Sequence, residues 1–137
     1  LKEASSSKES LGRVVVGTVE GDIHDIGKDI VVLMLEVNGF EVRDLGIDVP
    51  AAKFVEAVKE FDPQVVALSG FLTVAFDNMK KTVEALKEAG LRDKVKIQIG
   101  GGQIDEEIRR YTGADDYGLD AMEAVSYAKK VVAGGVQ

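Results

Sequence analysis

The chain holds one histidine, and the residues around it are of the kind that tune an imidazole. In the stretch GTVEGDIHDIGKDIV, residues 17–31, His24 stands between Asp22 and Asp25, with Gly27 three residues on. An imidazole that donates from one ring nitrogen to a nearby carboxylate keeps the other lone pair for a metal. A surface or capping histidine is the plain alternative. A zinc site of the usual kind is poorly served, because no cysteine and no second histidine are present and only carboxylates remain to complete the shell. Any other ligands would have to arrive with a cofactor. Gly27 is either a turn residue or a point where a bulky ligand approaches the backbone. Ser69 offers a hydroxyl that caps a helix or meets a ligand, and the triplet Gly100, Gly101 and Gly102 is either a tight turn or a gap left for something else.

Positioning these residues falls to a regular alternation of apolar runs and helical periods. Arg13 to Thr18 is β-branched and apolar without alternation, which predicts a central strand covered on both faces. Further strands are predicted over Glu41 to Leu45, Val65 to Ser69, Val95 to Ile99 and Ala114 to Tyr117. Helices are predicted over Lys28 to Val37, Ala51 to Phe61, Ala75 to Ala89, Glu106 to Tyr111 and Asp120 to Val132. The result is an α/β fold, a doubly wound five-stranded parallel sheet in the flavodoxin-like order 2-1-3-4-5 with helices on both faces. Ligands of such sheets sit beyond the carboxyl ends of the strands, at the switch point between strands one and three. The loops bearing His24, Ser69 and the glycine triplet all fall on that edge.

With 24 acidic against 17 basic residues, the formal charge of −7 argues against binding nucleic acid or an anionic membrane. The lack of cysteine and of any signal-like or long apolar segment predicts a cytoplasmic protein. Residues 1–12 read as a linker or the remnant of an upstream domain, and residues 13–137 as one folded unit.

Together, D-x-H-x-x-G as Asp22, His24 and Gly27, an S-x-L-like element beginning at Ser69, and the pair Gly100-Gly101 resemble the cobalamin-binding domain of corrinoid proteins. The likeness covers about Arg13 to Val132. It implies a cobalamin bound with its own base displaced, His24 as the lower cobalt ligand, and Asp22 accepting the other ring N–H. Gly27, Ser69, Gly100, Gly101 and Gly102 would line a slot for the nucleotide tail. Phe71 stands where the leucine of S-x-L is usual, with Leu72 beside it; Thr73, Gln103 and Tyr117 are further candidates for polar contacts. Ala75 replaces a serine that some relatives carry six residues after Ser69.

Within that superfamily the stretch around His24 is most similar to corrinoid proteins of methyltransferase systems, which usually carry a helical domain before this fold. The resemblance then implies a methyl shuttle that is not catalytic alone. It takes a methyl group on Co(I) from a donor through one methyltransferase and delivers it, for example to tetrahydrofolate, through another. Both methyltransferases and a reductive activase are the implied partners. The small subunit of a carbon-skeleton mutase and a cobalamin-sensing module are the alternatives.

Overall fold

A computed structural model of the chain describes residues 10–22, 26–71, 73–101, 104–118 and 120–134. Five strands, β1 (Arg13–Thr18), β2 (Glu41–Asp44), β3 (Val65–Ser69), β4 (Lys96–Gly100) and β5 (Asp116–Gly118), form one parallel sheet in the order β2-β1-β3-β4-β5. Between and after them run α1 (Ile26–Val37), α2 (Ala51–Phe61), α3 (Thr73–Glu88), α4 (Glu106–Thr112) and α5 (Ala121–Val132), with a short 3-10 turn at Arg92–Lys94. The expected fold class is therefore the one found.

Period-two alternation divides the core. Val15, Val66, Leu68, Ile97 and Ile99 face α2, α3 and α4, where Phe54, Met79 and Leu86 complete a large apolar cluster. Phe54 lies directly against β1, since a Cβ at Gly17 would come 2.9 Å from its ring. On the opposite face Val14, Val16 and Val65 pack with Leu35 of α1 and with Val125 and Ala128 of α5, a smaller cluster. β1 is buried from Val14 onward because both faces are covered.

Local chemistry sets the helix ends. α2 stops at Asp62, in the left-handed region at φ 53°, just before Pro63. At the starts of α4 and α5, Asp105 and Asp120 accept the N–H groups of Ile108 and Glu123 at 3.0 and 2.9 Å. The predicted bounds of β1, α2 and β3 agree with the structure. α1 and α3 each begin two residues earlier than predicted, β4 is displaced by one residue, and β5 begins at Asp116 rather than Ala114. The shift in β5 has a cause: the Asp115 carboxylate accepts the N–H of Ile97 at 2.8 Å, so a side chain takes a place the ladder would otherwise fill.

Tyr127 of α5 is 8% exposed, yet its hydroxyl has no hydrogen-bond partner among the described residues. Burial, reinforced by the charges of Asp115 and Asp116, raises its pKa well above that of a free phenol. A folded-state pKa raised in this way contributes stability that is present below the unfolded value of about 10 and is lost as pH climbs toward the folded value. Replacing Tyr127 with Phe keeps the ring and removes an unsatisfied group. Urea unfolding at neutral pH should find Tyr127→Phe as stable as the parent, or more so by about 1 kcal/mol. Its loss of stability above about pH 10 should be shallower.

Candidate functional site

Three loops meet at the carboxyl edge of β1, β3 and β4, and backbone groups hold them together. The Val19 N–H donates to Ser69 O at 3.0 Å and the Gly70 N–H to Gly100 O at 3.1 Å. Asp22 is completely buried, and its Oδ2 accepts the Phe71 N–H at 2.6 Å. The segment leading to Asp22 is pinned from both sides. Asn78 Nδ2 donates to Glu20 O at 2.6 Å, the Gly21 N–H donates to Asp48 Oδ1 at 2.8 Å, and the Asp48 N–H returns to Asp22 O at 3.0 Å. Asp48 is held at a positive φ of 54°, a conformation aspartate adopts at modest cost when its contacts require it.

Beneath this edge, on the α1 and α5 face, lies a cavity of about 560 Å³. Its sheet wall follows from register. Val16, Ala67 and Gln98 lie side by side on β1, β3 and β4, and two residues nearer the edge Ser69, Gly100 and Gly118 form a second row. On β3, β4 and β5 this row is small, so sheet and helices do not close on each other there. Gly27 and Lys28 of α1, with Asp120 and Ala121 at the start of α5, form the opposite wall. The Lys28 Nζ lies 2.9 and 2.8 Å from the two carboxylate oxygens of Asp44 and 2.7 Å from Asp29 Oδ1. This pair ties the first turn of α1 to the end of β2, with the lysine chain all but buried.

Among the sequence-predicted site residues, Gly27, Ser69, Phe71, Gly100 and Gly101 line the cavity, and Asp22 is joined to Phe71 beside it. His24, Leu72, Gly102 and Gln103 lie outside the described residues. Thr73 opens α3 and does not line the cavity. Tyr117 packs with the cluster on the other face, because Asp116 and Gly118 on either side of it take the cavity face of β5. Sequence reasoning missed Lys28, Gln98, Gly118 and Asp120. A glutamine inside the apolar run KIQIG was a legible signal for one of them, since a buried strand carries a polar residue only for a partner or a ligand.

The residues fit a largely apolar group lying beside the glycine-lined edge. The lining is mostly apolar or glycine, and the few polar groups, Lys28, Ser69, Gln98 and Asp120, stand at separate points of the wall. In comparison with known proteins, residues 12–126 match the B12 binding domain. A trimethylamine corrinoid protein of Methanosarcina barkeri is 50% identical over 129 residues, covering 94% of this chain and 59% of that protein. The chain spans about 60% of the length of such relatives. A cobalamin-binding protein from Desulfitobacterium hafniense DCB-2 superposes with a TM-score of 0.85 at 49% identity, over 86% of this chain and 57% of that one. The methanol:cobalamin methyltransferase complex MtaBC of Methanosarcina barkeri gives a TM-score of 0.90 at 34% identity, over 99% and 52%.

The two described glycines of the triplet have different duties. A Cβ at Gly101, where φ is 149°, would fall 1.7 Å from Gly70 O, whereas one at Gly100 would meet Gly118 O at 3.4 Å. Gly101→Ala should therefore lower stability by about 3 kcal/mol or more, as backbone strain and overlap combine. Gly100→Ala should cost about 1 kcal/mol or less. Urea midpoints of the two variants against the parent give the comparison.

Proposed function

Since this chain belongs to the B12-binding domain family, we propose that it holds a corrinoid through the cavity between the sheet and the α1–α5 pair and serves as a methyl carrier between methyltransferases. The observation that supports this most is the pairing of that cavity with a buried carboxylate, Asp22, at the mouth and two residues before the chain's one histidine. The nucleotide tail is assigned to the cavity, with Ser69, Ala67 and Gly100 against it on the sheet side and Gly27 and Ala121 on the helix side. When bound, the corrinoid supplies the methyl-transfer chemistry itself.

Each residue then has a definite task. His24 would hold the corrinoid's cobalt through one ring nitrogen. Asp22, already oriented by the Phe71 N–H, is assigned to accept the other ring N–H and so fix the tautomer. The segment from Glu20 to Asp22, pinned on both sides, holds Asp22 in place for that task. Trimethylamine and dimethylamine corrinoid proteins match this chain almost equally, at 50% and 48% identity. Donor choice is accordingly assigned to the partner methyltransferase, and a second methyltransferase takes the methyl onward, with tetrahydrofolate as one candidate acceptor and a reductive activase as an accessory.

Retention of hydroxocobalamin through gel filtration tests the cavity. Ala67→Leu places three more heavy atoms in the slot without touching the mouth loops, and it should weaken retention roughly tenfold or more while the protein stays folded. Undiminished retention would remove the tail from this cavity.

Axial ligation is read separately, by electron paramagnetic resonance of the Co(II) form. The parent should show splitting from one axial nitrogen, and His24→Ala should lose it while still binding the corrinoid. Persistence of that splitting in His24→Ala would assign the nitrogen to the cofactor's own base. Asp22→Asn should weaken ligation about ten- to a hundredfold, the usual range for a partner of a metal-bound histidine.

A further inference from the structure

Gln98 is the polar member of the deepest sheet row of the cavity, flanked there by Ala67, and it is only 5% exposed. Its Nε2 donates to Asp116 Oδ2 at 2.9 Å and approaches Glu123 O at 3.5 Å. Both partners only accept, so the amide cannot be turned the other way without facing oxygen against oxygen. Gly118 makes room for this arrangement, since a Cβ there would come 3.0 Å from the same Nε2. The consequence is a fixed carbonyl. With the nitrogen committed, Oε1 is left as an acceptor for whatever fills the cavity, and no donor among the described residues is bonded to it.

We propose that Gln98 reads the far end of the corrinoid's nucleotide tail and favours a lower base that carries a hydrogen-bond donor. This rests on the corrinoid reading given above and narrows it. A buried acceptor discriminates mainly by penalty: a base with a donor satisfies Oε1, whereas a base with only C–H at that point dries the oxygen and leaves it unpaired. The surrounding wall, formed by Val16, Ala67 and Val31, accepts the flat face of either base alike. Discrimination then falls to the one amide. Asp116 acts through Gln98 as a positioning residue, setting which end of the amide looks inward.

Two corrinoids that differ by a single hydroxyl on the lower benzimidazole base provide the test, each titrated into the purified chain with binding followed by equilibrium dialysis. The parent should hold the hydroxylated form roughly three- to tenfold more tightly, the range expected of one net hydrogen bond. Gln98→Met, of similar length but with no acceptor oxygen to leave unpaired, should bind the plain form more tightly than the parent does and lose the preference. Should that variant fail to fold, Asp116→Asn serves instead: it frees the amide to turn and should shrink the preference without altering the cavity's size. Equal affinity of the parent for both corrinoids would overturn the proposal while leaving the corrinoid reading intact. So would a preference that survives in Gln98→Met or Asp116→Asn. If the parent held neither corrinoid, the cavity assignment would fall and this inference with it.

Discussion

The space under α1 and α5 exists because neighbouring positions on three strands carry side chains too small to fill it. Ser69, Gly100 and Gly118 share one register row and one face of the sheet. In a parallel sheet buried on both sides, such a row is normally filled by branched apolar residues, as it is on the opposite face by Leu68 and Ile99. The contrast between the two faces is the constraint from which the rest follows. One face carries the larger apolar cluster; the other carries a smaller one and leaves a cavity open against the strands. α1 and α5 still pack their lower halves through Leu35, Val125 and Ala128, so the opening is confined to the end where the loops converge.

At that end the structure spends polar groups where burial would otherwise penalise them. A carboxylate with no solvent exposure is tolerable only when hydrogen bonds replace its water, and the Phe71 N–H provides one of them. The same logic governs Lys28, whose buried ammonium meets both oxygens of Asp44. These two contacts sit on either side of residues 23–25 and fix the chain before and after them. The two anchors therefore fix both described neighbours of that span, Asp22 before it and the first turn of α1 after it.

Much of this was legible in the sequence, and the parts that were not share a cause. The β-branched run of β1 and the Asp62-Pro63 stop of α2 are local signals, and those bounds agree with the structure. D-x-H-x-x-G, Ser69 and the glycines were readable as motifs. Position within the strand was harder: Tyr117 looked available at a strand end, but once β5 runs from Asp116 to Gly118 its side chain belongs to the other face. Partnerships across distant segments were not readable at all. Nothing in the residues around Asp22 names the backbone amide of Phe71, and nothing in KIQIG says that Asp116 and Glu123 will dictate which way Gln98 turns. Both depend on register, which only the assembled sheet supplies.

The close passage of Gly101 over the Gly70 carbonyl, with Gly70 itself bonded to Gly100 O and wedged against Ala75, has a kinetic side. Strand ends ordinarily fray, opening at small free-energy cost and exchanging their amide hydrogens quickly. Here the ends of β3 and β4 are held by backbone packed on backbone, in the middle of the sheet and with no flexible side chain between them. Separating them requires the central strands to part, which is an opening close to global in cost. The mouth of the cavity is therefore rigid on its sheet side.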